Sequence, residues 1–227
     1  MFSASNAAAN VSFDTSSALN FSITSISGGN GELSVSSTFL RSGDGFPLTW
    51  TNATGDASVT DNNPEISLVN EPLAVGSVFS HTLSMHGSAT NGNIDFNQVG
   101  WYDLGFNNGG TESVDIVLSI SYQLFGHVIG NGGSVSVSVN YADDLGNSLG
   151  TDLVEASSFG AVNPASSAYS SPFSFTLAGG ESKAFYIDVN HVGYLEAAPV
   201  PLPAAVWSFL AGLLSILGFK KRKPAGA

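Results

Sequence analysis

From about Asn10 to Leu195 the apolar positions recur at every second residue. Val135, Val137, Val139 and Tyr141 would share one side of an extended chain, with Ser134, Ser136, Ser138 and Asn140 on the other. Val114, Ile116, Leu118, Ile120, Tyr122 and Leu124 alternate with Asp115, Ser119, Ser121 and Gln123 in the same way. The pattern returns in Leu19, Phe21 and Ile23, in Leu33 and Val35, and in Phe79, His81, Leu83 and Met85. It recurs once more in Phe173, Phe175 and Leu177, and in Phe185, Ile187 and Val189. No helical period lasting three turns precedes Pro201. Strands that bury one face and wet the other belong to antiparallel sheets. The alternation therefore predicts an all-β domain of roughly nine or ten strands. Its expected form is an antiparallel two-sheet β-sandwich of jelly-roll or immunoglobulin-like type.

Glycine punctuates these runs. Ala178, Gly179 and Gly180 read as the turn of a hairpin over residues 173–189, and residues 130–133 read as a turn between the strands ending near Phe125 and starting at Ser134. Residues 61–64, 91–93 and 106–110 read as loops, none long enough to be a linker. One domain over residues 10–195 is expected, with 1–9 as the remnant of a signal peptide or an unstructured start. Those first residues lack a basic n-region and an apolar core, yet resemble the small-residue end of a leader, so the true start is expected upstream.

After Leu195 the texture changes. Residues 202–219 form an uncharged, mostly apolar stretch of 18 residues. As a helix it would reach about 27 Å, close to the hydrocarbon thickness of a bilayer. This predicts a C-terminal transmembrane helix over 204–219, preceded by a tether and motif at 196–203 and followed by a basic cytoplasmic tail at 220–227. Lys220, Lys221, Arg222 and Lys223 would act as the stop-transfer signal, placing the β domain on the other side of the membrane.

The segment Val200-Pro201-Leu202-Pro203-Ala204, followed by an apolar run and then the basic cluster, resembles the PEP-CTERM type of bacterial sorting signal in its VPLPA variant. The resemblance covers about the last 28 residues. It implies that an exosortase, an integral-membrane cysteine protease, recognises Val200, Pro201, Leu202, Pro203 and Ala204 and releases or attaches the protein at the cell surface. Leu202 stands where the family's commonest form has glutamate. Independently of the family, prolines at this point hold the backbone extended, so it can enter a protease cleft without unfolding the domain.

Charge sharpens the division. The 227 residues contain 6 Lys+Arg and 18 Asp+Glu, a formal net charge of −12. Only Arg41 and Lys183 precede the terminal basic run, so the first 219 residues set two cations against eighteen carboxylates. A chain so acidic repels a phosphate backbone, which argues against a nucleic-acid partner. The absence of cysteine removes disulfides, thiolate metal sites and cysteine nucleophiles.

Candidate chemistry is sparse. The zinc-protease helix and P-loop patterns are absent. His81 and His86, five residues apart, fall on opposite sides of one strand, so His81 reads as a half-buried core residue and His86 as exposed. Calcium is the best cofactor candidate, through Asp143, Asp144 and Asn147, or Asp61, Asn62, Asn63 and Glu65, which place oxygen ligands in loops. Neither set follows the Asp-x-Asp-x-Asp-Gly spacing. Trp50, Trp101, Tyr102 and Phe106 could stack on sugar rings if exposed together; as core residues they would only pack. The expected role is that of an exported, membrane-anchored surface or matrix protein, non-enzymatic and structural or adhesive. A carbohydrate-binding module contacting exopolysaccharide is the alternative, and a polysaccharide hydrolase, which needs two carboxylates facing one groove, is the third.

Overall fold

A computed structural model describes residues 10–29, 33–40, 50–62, 69–72, 74–160, 162–197 and 209–214. Ten strands are described: β1 (Val11–Gly28), β2 (Leu33–Leu40), β3 (Trp50–Asn62), β4 (Val69–Pro72), β5 (Val78–Asn108), β6 (Val114–Ile129), β7 (Gly133–Asp143), β8 (Ser148–Ser157), β9 (Ala165–Leu177) and β10 (Ser182–Glu196). Alternation explains them directly. In β6, Val114, Ile116, Leu118, Ile120, Tyr122 and Leu124 are buried while their neighbours are not.

The two-sheet sandwich is corrected: all ten strands belong to one continuous, nearly closed, barrel-like sheet with the order β8-β7-β10-β5-β1-β6-β9. Every pairing is antiparallel. Continuity comes from β5. Its first half pairs with β1 (Phe13 opposite Gly87), and its second half pairs with β10 (Leu195 opposite Ile94). β3 spans both halves along the other edge, and β2 follows it, carrying β4. The expected loop at 91–93 is therefore interior to a strand of 31 residues. There the β3–β5 register skips Thr90, a bulge that bends β5 without ending it, and Gly55 and Gly92 let the two strands approach so closely that a Cβ on Gly92 would enter the Thr54 carbonyl. The ends of the sheet approach one another where Ser167 of β9 donates to Asp152 of β8 at 2.5 Å.

The expected hairpin over 173–189 is also corrected. Its turn is present, with Glu181 N–H donating to the Ala178 carbonyl at 3.0 Å, but β9 pairs with β6 and β10 pairs with β5 and β7. The turn after β6 likewise leads into β7 without the two pairing. A short glycine turn reverses the chain whether or not its flanking strands become neighbours.

Inside, Phe13 and Phe96 stack at 4.3 Å. Gly87 and Gly193 make room for them, since a Cβ on either would strike a ring at 2.6–2.7 Å. Phe106, Phe175 and Phe185 form a second aromatic cluster joined by Phe173, with ring centroids 4.8–5.9 Å apart.

The transmembrane expectation is overturned as well. Among the described residues no helix is long and apolar enough to cross a membrane. The described helix covers residues 209–214, with exposed side chains, and rises only about 9 Å. Apolar composition sets the affinity of a segment for a nonpolar phase and does not by itself specify a spanning helix. The single-pass membrane placement falls with it. Val200, Pro201, Leu202, Pro203 and Ala204, the basic run 220–223 and the start 1–9 lie outside the described residues.

Candidate functional site

Antiparallel register places side chains in rows across the outer face of the sheet. One row runs Trp50 (β3), Asn97 (β5), Val192 (β10), Ser136 (β7) and Glu155 (β8). The next runs Asn52, Asp95, Tyr194, Ser134 and Ser157. Between them lies a groove of about 450 Å³ lined by Trp50, Asp95, Ser134, Ser136, Glu155, Val192 and Tyr194. Trp50, Val192 and Tyr194 are each exposed by more than 40%. Beneath the groove, Gly193 lies against the Phe96 ring, so the segment carrying Val192 and Tyr194 rests on the Phe13–Phe96 stack.

The structure separates the aromatic residues singled out in the sequence. Trp50 and Trp101 are exposed on the outer face; Tyr102 and Phe106 are buried in the core. Tyr102 packs edge-on against His81 at 5.1 Å, and burial raises its phenol pKa well above the ordinary value. Trp101 stands two rows beyond Asn97, roughly 13 Å along β5. Beside it Asp188 accepts from Asn140 at 2.9 Å and from Asn190 at 2.8 Å, while Thr151 donates to Asn140 at 2.6 Å. Tyr194 and Val192 escaped the sequence reading. Their signal was available: β10 puts Val189 and His191 inward, so alternation demands polar residues at 192 and 194, and apolar ones stand there.

A second groove, about 360 Å³, opens on the outer face of the other half of the sheet, beside Ser16, Ala18, Thr82, Gln123 and Ala168. It presents hydroxyls and small side chains, with Phe125 the one aromatic among its described lining residues.

The calcium candidate is a hairpin turn. Asp143 Oδ1 accepts from the Leu145 and Asn147 N–H groups at 3.0 and 2.8 Å, and Oδ2 accepts from the Asn147 side chain at 2.9 Å. The Asn147 hydrogen bond is the main reason its carboxyl is held below the usual range. Asp144 stands exposed beside it. In the other set, Asn62 uses its side chain to hold β5, accepting from Ser84 N–H at 2.6 Å, and Asn63 and Glu65 lie outside the described residues. Among the described residues no cluster of three or more metal-ligating groups forms.

Residues 146–150 spell Gly-Asn-Ser-Leu-Gly, the spacing of a nucleophile elbow, which calls for a strand-to-helix turn. Here the segment joins β7 to β8, two strands paired with each other, so Ser148 has no elbow beneath it.

One histidine does meet a serine. His191 is fully buried, with Nδ1 3.1 Å from Thr15 Oγ1 and Nε2 2.9 Å from Ser17 Oγ. Thr15 spends its proton on the Met85 carbonyl at 3.1 Å, so Nδ1–H donates to Thr15 and Nε2 accepts from Ser17. Burial pushes the imidazole pKa down to about 3. The pair has the form of a hydroxyl and its base, but Ser17 is sealed in the core and a hydroxyl, not a carboxylate, orients the ring. The arrangement satisfies a core histidine. His81 is half-buried and His86 exposed, as their spacing implies.

No protein-family model and no curated protein matches the chain. Among solved structures, the secreted serine protease VesC from Vibrio cholerae is 8% identical with a TM-score of 0.14, over 74% of this chain and 47% of its own. A putative beta-galactosidase from Bacteroides fragilis is 11% identical with a TM-score of 0.14, over 71% of this chain and 25% of its own. The chain thus spans about half the length of the first and a quarter of the second, and similarity at this level identifies neither fold nor activity.

Proposed function

We propose that this is an exported, non-catalytic adhesive protein of the bacterial surface or extracellular matrix, processed at Val200 to Ala204 by an exosortase-type protease. The observation that carries the adhesive part is the outer face of the sheet, where Trp50, Trp101, Val192 and Tyr194 are exposed on paired strands among serine, asparagine and carboxylate side chains. Aromatic rings displayed on rigid elements are costly to leave in water and suit reversible binding. The processing part rests on the VPLPA-type segment and its basic cluster. Intact-mass analysis of the native protein from cells tests it: a C-terminus near Val200 is expected, and retention of residues 220–227 in the mature chain overturns it.

The carbohydrate-binding reading gives the adhesion a ligand, and the groove between Trp50 and Tyr194 favours it. Hydrolysis is less well supported. Asp95 and Glu155 face the same groove but stand three strands apart, roughly 15 Å between Cα atoms. Glycosidase carboxyl groups are separated by about 5–9.5 Å. A glycan-array signal that is lost in Trp101→Ala or Trp50→Ala supports the binding reading, and a blank array for the intact protein opposes it.

A further inference from the structure

We infer that the groove between Trp50 and Tyr194 is the glycan site, and that it selects a neutral, hydroxyl-rich chain over an anionic one. The inference rests on the carbohydrate-binding reading above and adds to it the location of the site and the class of ligand. Three observations on one groove converge. The apolar contacts, Trp50, Val192 and Tyr194, occupy outer-face positions that the strand alternation assigns to polar residues. Such rings offer flat faces to the C–H faces of a pyranose, while the groove volume of about 450 Å³ falls within the range of small-ligand sites, about 300–1,000 Å³.

The polar lining decides the class. Asp95 and Glu155 accept hydrogen bonds, and Ser134 and Ser136 accept or donate, which matches sugar hydroxyls. Among the described residues the lining contains no cation, and the one Lys or Arg with a placed side chain is Lys183. Lys183 stands eleven positions from Tyr194 on β10, roughly 36 Å along the strand, beyond the screening length of about 8–10 Å at physiological salt. A uronate, sulfate or phosphate in the groove would face two carboxylates with no compensating charge among the described residues. Preorganisation adds to the selectivity, because Val192 and Tyr194 flank Gly193, whose backbone is fixed on the Phe13–Phe96 stack.

Native affinity electrophoresis of the full chain through gels holding hydroxyethyl cellulose or alginate separates the possibilities. Retardation by hydroxyethyl cellulose, with none by alginate, is expected. Trp50→Ala and Tyr194→Ala should each weaken retardation about tenfold or more, equivalent to at least 1.4 kcal/mol, while Trp50→Phe, which keeps a ring, retains most of it. Thermal melts matching the parent protein establish that each variant is folded. Retardation by alginate equal to or above that by hydroxyethyl cellulose overturns the neutral-glycan assignment. Loss in Trp101→Ala with none in Trp50→Ala or Tyr194→Ala moves the site elsewhere and overturns the groove, though glycan binding survives. No retardation by either polysaccharide, with a blank glycan array, overturns the carbohydrate reading itself.

Discussion

Two of the buried polar side chains, Asn108 and His191, hydrogen-bond to residues far away in the chain. Asn108, fully buried at the end of β5, donates from Nδ2 toward the carbonyls of Glu112, Leu177 and Ala178 at 2.7–3.2 Å, and its Oδ1 accepts from Gly110 N–H at 3.0 Å. It thereby ties the β5–β6 turn to the β9–β10 turn. Asn108→Ala strands those carbonyls, and a loss of about 2–4 kcal/mol in urea unfolding is expected. His191 makes the acid sensitivity predictable. Its folded pKa of about 3 lies below the ordinary 6.5, so the unfolded chain takes up a proton that the folded chain refuses. This contribution is fully present above about pH 6.5 and is lost as the pH falls toward 3, at about 1.4 kcal/mol per unit. Between pH 6.5 and pH 5, unfolding free energy should therefore fall by about 2 kcal/mol more in the parent than in His191→Gln. Equal losses in the two proteins would remove His191 from the account. Neither role was legible in the sequence: an asparagine beside a turn and a histidine in a strand are ordinary, and what sets them apart is their distant partners, Leu177 and Ala178 for Asn108 and Thr15 and Ser17 for His191.

At the scale of elements, strands were legible wherever one face is sealed and the other wet. β6 and β7 follow the sequence alternation residue by residue because a one-place slip would turn every apolar side chain to water. Parity blurs in β5, where Gln98, Val99 and Gly100 are all buried in succession, so Trp101 and Tyr102 could not be assigned their opposite faces from the sequence. Pairing was legible least, as the glycine turn at residues 178–180 shows. The seam between β8 and β9 depends on such long-range pairing. Tyr122 stacks on Tyr169 at 5.3 Å, and burial first, then the Asp152 carboxylate, raises the Tyr122 phenol pKa. Asp152→Asn removes the negative charge that opposes phenolate formation. Ultraviolet titration of the folded variant should show phenolate appearing at lower pH than in the parent. An unchanged onset would mean that Asp152 does not face Tyr122 in solution.

For the whole molecule, the bend in β5 decides how the halves communicate. A sandwich of two separate sheets can loosen one sheet against the other, whereas here β5 hydrogen-bonds to β1 in one half and to β10 in the other, with β3 bridging both. Breaking the bend frays both halves together. The domain should therefore unfold in one step, with far-UV circular dichroism and hydrogen exchange in β6 and β7 following the same denaturant dependence. Gly92→Ala is the sharpest perturbation, because its Cβ would enter the Thr54 backbone and β5 cannot retreat without losing the bond that its Gly92 carbonyl accepts from Ala197 N–H on the other side. A loss of about 2–4 kcal/mol is expected, shared equally by exchange protection in β6, which belongs to the β1 half, and in β7, which belongs to the β10 half. Loss confined to one of them would show that the two halves fold as independent units and that continuity of the sheet carries no cooperative energy.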